Sequence, residues 1–140
     1  MYEFIVGDEA TSDLVEILEK VPPAGYRLAA LLEEISGSQS LMEKLSWDHY
    51  GGKPHLPEVG ATMNVAKWIE PYRKGMNIWR LRDFELARSG YEYRIIYAFI
   101  PAKDLYFVLA IVERAFNYES SHPVTQRILA SYRRLEGDGW

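Results

Sequence analysis

The chain has 140 residues, a net charge of −4 and no cysteine, which fits one domain with a sizeable core and excludes disulfide frameworks, thiolate metal sites and cysteine nucleophiles. No apolar run approaches the roughly 18 residues of a membrane span, and the N-terminus lacks the basic start and sustained apolar core of a signal peptide, so the expectation is a soluble cytoplasmic protein. The acidic total argues against nonspecific nucleic-acid binding, but its distribution is uneven: residues 1–70 carry 5 Lys/Arg against 12 Asp/Glu, giving −7, and residues 71–140 carry 11 against 8, giving +3.

Taken in order, residues 2–6 predict a short strand, and Asp8 is a good N-cap for a helix over residues 9–20, with Leu14, Ile17, Leu18 and Val21 at helical spacing. Pro22 and Pro23 end that helix and open a second, whose stripe is Leu28, Leu31, Leu32 and Ile35 before Gly37. The pair reads as an α-hairpin laid on a sheet. Ser40 and Glu43 have capping-box spacing, predicting a short third helix through Leu41, Met42 and Leu45. Residues 46–62 carry Gly-Gly and two X-Pro steps without periodicity, so they read as a long loop. Residues 63–70 fit a strand or a single helical turn, anchored by Trp68 and Ile69 and stopped by Pro71.

Three strand-like runs follow, over residues 78–86, 91–100 and 105–115, separated by breaks at 87–90 and 101–104. They are rich in aromatic and β-branched residues and predict an antiparallel meander. Ser121 and Pro123 then open a last helix with the stripe Val124, Ile128, Tyr132 and Leu135, and Gly137 as its C′ residue. The fold class expected is α+β: a small antiparallel sheet of the N-terminal strand and the meander, packed with the α-hairpin and the closing helix, all in one domain over residues 1–140.

Four arginines interrupt the apolar runs of the meander: Arg80 and Arg82 in the first strand, Arg94 in the second, Arg114 at the end of the third. A guanidinium on a half-buried sheet must find an anion or reach solvent, so several on one face make a phosphate-sized site. Arg80 and Arg82 are two apart and share a face by strand geometry. Arg94 and Arg114 share one if an odd number of residues joins their strands, or if a bulge corrects an even number. The bland alternative pairs these arginines with Asp83, Glu85, Glu92 and Glu113, with Arg94 bridging Glu92 or a C-terminal carboxylate.

The segments NIWRLRDF, YEYRIIYAF and LYFVLAIVERAF, with the helix that closes the chain, resemble the RelE/ParE superfamily of bacterial toxins. The likeness is specifically to the RelE and HigB type that also occurs in phage-derived genes. Tyr93, Arg94, Ile95, Ile96 and Tyr97 match the pattern of "YR", an apolar pair and an aromatic. The resemblance implies a type II toxin that cleaves mRNA without metal or other cofactor, often on the ribosome, by attack of a ribose 2′-hydroxyl on the adjacent phosphate. It implies a cognate antitoxin as partner, with DNA reached only through that antitoxin.

The same resemblance places Arg94 on the strand arginine that contacts the scissile phosphate, and Arg114 on the second basic position. Arg80 and Arg82 fall where some members have alternate basic residues; Ile78 stands where one of these would be, which removes a candidate proton acceptor. Tyr118 lies near a C-terminal tyrosine that some members use. Two further readings share the fold: a ParE-like inhibitor that binds DNA gyrase without chemistry, and a partner-binding member that has lost toxicity.

Histidines are the usual acid–base candidates near neutrality. His122 comes a few residues after Tyr118, whereas His49 and His55 sit in the long loop; each also reads as an ordinary surface or capping histidine. Asp48, His49 and His55 match no standard zinc spacing. Tyr93, Ile95, Tyr97 and Phe99 alternate as a core face, and Trp47, Trp68 and Trp79 read as packing residues. Trp140 reads as a disordered end or a partner contact.

Overall fold

The computed structural model describes residues 1–53, 56–113, 119 and 121–137. Its elements are β1 (Glu3–Val6), α1 (Asp8–Lys20), α2 (Pro22–Ser36), α3 (Gln39–Lys44), β2 (Gly52–Lys53), β3 (Leu56–Pro57) and β4 (Met63–Lys67). There follow α4 (Ile69–Arg73), β5 (Ile78–Asp83), α5 (Phe84–Arg88), β6 (Tyr93–Ile100), a 3-10 turn (Pro101–Lys103), β7 (Leu105–Glu113) and α6 (Pro123–Gly137). Five strands make one sheet in the order β1-β7-β6-β5-β4. The meander β5-β6-β7 is antiparallel as the sequence predicts, but β1 joins β7 in parallel, so the sheet is mixed. The architecture is α+β.

Alternation along the strands produces two cores. Trp79, Leu81, Ile95, Tyr97, Tyr106 and Val108 face the α1–α2 hairpin, where Ile17, Leu28, Leu31 and Ile35 are buried. Ile78, Ile96, Ala98, Ala110 and Val112 face α6, whose Ile128, Tyr132 and Leu135 close on them. Truncating a buried aliphatic such as Ile128 to alanine costs about 2–5 kcal/mol. Tyr97 lies wholly inside the first core; its hydroxyl donates to the Leu45 carbonyl at 2.6 Å, and burial pushes its pKa well above the ordinary value.

The strands joined by the four residues Pro101–Asp104 would, on that even count, put even-numbered β6 residues opposite odd-numbered β7 residues. That pairing holds from Ile100↔Leu105 to Tyr97↔Val108, and then a bulge intervenes, so that Ile96 pairs with Ala110 and Arg94 with Val112. Beyond Val108 the outer edge of β7 has lost β1 and is covered by α1. Asp13 accepts a hydrogen bond there from the Ile111 amide at 3.0 Å and a bidentate pair from Arg127 of α6 at 3.0 and 2.8 Å. One carboxylate thus joins both helical layers to the bulged strand.

Several local expectations are corrected. Gly7, not Asp8, is the N-cap of α1, and Ser38, not Ser40, caps α3 by accepting from the Leu41 amide. The first meander strand ends at Asp83 instead of residue 86, because the Asp83 carboxylate accepts from the Leu86 amide and starts α5. Pro71 does not stop the segment after β4; it lies in the first turn of α4, where its missing N–H costs nothing. Gly137 falls within α6.

The long loop also acquires a structural account. β4 is the outer strand, and its exposed backbone pairs with the loop: His49 N–H donates to Val65 O, and Val65 N–H donates to Tyr50 O, both at 3.0 Å. The Asp48 carboxylate takes the Lys67 amide at 3.1 Å. An open edge is a template for aggregation, and residues 48–50 shield this one. Gly51 lies so close that a Cβ there would fall 1.9 Å from Met63 O.

Candidate anion site on the sheet

The register puts three of the sequence-predicted arginines on the face that carries the α6 core. Arg82 stands directly opposite Arg94, and Arg80 is opposite Ile96. Arg94 is in turn opposite Val112, so the bulge meets the condition for a shared face as far as the described part of β7 extends. Arg114 and Tyr118 lie outside the described residues, as do His55 and Trp140.

Two guanidiniums directly opposite each other repel, and a counter-ion offsets this. Glu92, two residues before Arg94 and hence on its side of the strand, supplies it: Arg82 Nη2 donates to Oε1 at 3.2 Å, and Arg94 Nη1 donates to Oε2 at 3.0 Å. All three side chains are only 13–22% exposed. Burial pushes the Glu92 carboxyl up, but the hydrogen bonds and charges of Arg94 and Arg82 outweigh it and hold it below its ordinary value of 4.5. The Arg82 guanidinium also lies 5.6 Å from the centre of the Phe84 ring.

Of the other carboxylates that could neutralise these arginines, Asp83 and Glu85 pair instead with Arg27 of α2. Half-buried Arg80 forms no ion pair with any carboxylate among the described residues. Asn64, absent from the sequence-predicted set, extends the row: its β4 position is directly opposite Arg82. It is 3% exposed, and its Nδ2 has no hydrogen-bond partner among the described residues. No sequence signal singles it out, because all of residues 63–66 are buried and show no alternation.

His122 is the N-terminal residue ahead of α6. Its Nδ1 accepts from the Val124 amide at 3.1 Å. It lines a groove of about 380 Å³ with Asp13, Val112, Glu113 and Arg127, and Val112 is the residue opposite Arg94. The row from Asn64 through Arg82 and Arg94 therefore has donors for an anion, one carboxylate already seated between the arginines, and a histidine-lined groove next to its far end.

No protein-family model matches the chain, and no curated protein matches it. Among solved structures the chain is similar to that of the E. coli toxin RelE, an arginine-to-alanine double mutant in the free state. The identity is 15%, 93% of this chain and 96% of that chain are covered, and the TM-score is 0.41. No helix among the described residues is long and apolar enough to cross a membrane.

Proposed function

We propose that the protein is a toxin of the RelE/HigB type, a metal-independent endoribonuclease that cleaves mRNA, free or on the ribosome, through attack of the 2′-hydroxyl on the neighbouring phosphate. The observation that carries the reading is Arg82 directly opposite Arg94, with Arg80 along the same strand face. Paired guanidiniums can grip both non-bridging oxygens of a phosphodiester and stabilise the extra charge of its transition state. The sequence pattern around Arg94 supports the same assignment, and Asn64 adds an amide donor to the row.

A cognate antitoxin is the partner this reading requires. The outer edge of β1, the last strand of the sheet on the side away from β4, suits an added strand from such a partner. Incubation of purified protein with ribosomes and a defined mRNA tests the activity. Cleavage is expected to survive chelation and to be lost in Arg94→Ala; intact mRNA, on ribosomes and free, rejects the assignment.

One observation favours a second reading, a ParE-like inhibitor of DNA gyrase or a partner-binding member without chemistry. Glu92 already bridges Arg82 and Arg94, as an arginine pair of purely structural purpose would require. Inhibited supercoiling in a gyrase assay without any RNA cleavage supports that alternative.

A further inference from the structure

Cleavage by a 2′-hydroxyl needs a group to take its proton, and the arginines do not serve, because a guanidinium keeps its proton at any ordinary pH. His122 has Nδ1 engaged by the Val124 amide. Among the described residues, Glu92 is the carboxylate in hydrogen-bond contact with both facing arginines. Asp83 and Glu85 are turned to Arg27, and Glu113 is opposite Tyr93 on the other face of the sheet.

We propose that Glu92 is the proton acceptor of the cleavage reaction, and that the bound phosphodiester itself prepares it by drawing the guanidinium donors of Arg82 and Arg94 away from its carboxylate. The inference rests on the RNA-cleaving reading of the same site. Arg94 has five N–H donors and, among the described residues, gives one to a side chain, that of Glu92, so a phosphate can be added at Arg94 without expelling the carboxylate. As donors turn to the phosphate oxygens, the charges that hold the carboxylate deprotonated are shared with a second anion, and its proton affinity rises.

The step balances without a co-reactant other than water. The 2′-oxygen forms a bond to phosphorus as its proton passes to a Glu92 oxygen, and the bond from phosphorus to the 5′-oxygen breaks. That oxygen leaves as an alkoxide and takes a proton from water; the hydroxide so formed recovers the proton from Glu92. The products are a 2′,3′-cyclic phosphate and a free 5′-hydroxyl. Among the described residues, the charged groups that face Glu92 from the elements around it are Arg82 of β5 and Arg94 of β6.

The test is cleavage of a defined RNA by the full chain as a function of pH, for wild type, Glu92→Gln and Glu92→Asp. Glu92→Gln is expected to lose about 10²- to 10⁴-fold in kcat, with no comparable rise in KM, and to lose the acid limb of the profile. In the wild type that limb is expected at higher pH in kcat, which reports the bound complex, than in kcat/KM, which reports the free protein. Glu92→Asp keeps the charge between the arginines while retracting the oxygens, so it should fold, retain the acid limb and cleave at an intermediate rate. A wild-type rate and profile from Glu92→Gln overturns the proposal while cleavage by the wild type leaves the RNA-cleaving reading standing. Should Glu92→Gln fail to fold, full activity in Glu92→Asp overturns it instead. No cleavage by the wild type overturns both.

Discussion

Arg82 and Arg94 face each other across β5 and β6, and the Glu92 carboxylate bridges them at 3.2 and 3.0 Å. Its removal leaves two half-buried like charges opposed. Glu92→Ala is therefore expected to lower stability by about 1–2 kcal/mol, less than a fully buried pair because all three groups keep some solvent contact. The sign of the pH dependence follows from the depressed Glu92 pKa. The stabilisation is fully present above the ordinary value of 4.5 and is lost as pH falls through the lower folded value. Urea unfolding at a series of pH values should show wild type and Glu92→Ala converging as pH falls through this acid range; a constant gap between them would contradict the pairing.

Asp83 is expected to matter more for stability than any strand arginine. It is 3% exposed, and it holds Arg27 through Nε at 3.0 Å and Nη2 at 3.1 Å while capping α5 through the Leu86 amide. Asp83→Ala takes the bidentate partner from a half-buried guanidinium, leaving it only the exposed Glu34 and Glu85, and leaves an amide without its acceptor, for a loss of about 2–4 kcal/mol. Asp83→Asn retains an oxygen for the cap and should recover about 1 kcal/mol of that in denaturant unfolding. Equal losses in the two variants would remove the cap from the account.

How much of this was legible in the sequence depends on whether a local pattern or a distant contact decided it. The stripes of α1, α2 and α6 and the alternation of β6 are local, and they predict those elements. The spacing of Arg80 and Arg82 likewise fixes their common face. The strand β4 gives no alternation because both of its faces are buried, and residues 63–66 therefore read equally as strand or helical turn. The end of β5 depends on Asp83, whose side chain serves α5 and Arg27 together, and the sequence alone reads residues 84–86 as more strand. Glu92 was visible as a partner for Arg94; that it also holds Arg82 required the β5–β6 register, which no local pattern encodes. The parallel pairing of β1 with β7 brings together residues about a hundred positions apart and leaves no local trace.

Gly51 tests the shield over β4. It has φ of 81°, and an added Cβ would meet Met63 O at 1.9 Å, a backbone atom that belongs to the edge strand itself. Gly51→Ala is expected to cost more than about 2 kcal/mol and to detach residues 48–50 from Val65 and Lys67. The uncovered strand should then make the protein aggregate at concentrations the wild type tolerates. Gly60→Ala is the control: its φ of 83° is also positive, but no atom lies within 4 Å of the new Cβ. It should cost only about 1–2 kcal/mol, without aggregation. Light scattering during thermal unfolding of the two variants separates a clash at the sheet edge from ordinary backbone strain.

Arg80 separates binding from stability. It lies on the same face as Arg82, two residues back along β5, but pairs with no carboxylate among the described residues, whereas Arg82 and Arg94 are tied to Glu92. Arg80→Ala should change unfolding free energy by no more than about 0.5 kcal/mol. If the row receives an RNA backbone, loss of this unneutralised charge removes one phosphate contact. Affinity for a short single-stranded RNA should then fall, and the slope of log affinity against log salt should become shallower by about 0.7, the value per contact for single strands. Arg94→Ala should instead weaken both stability and RNA binding, because it breaks a pair and a contact together. An unchanged salt slope in Arg80→Ala would place the RNA away from β5 and assign the row to structure alone.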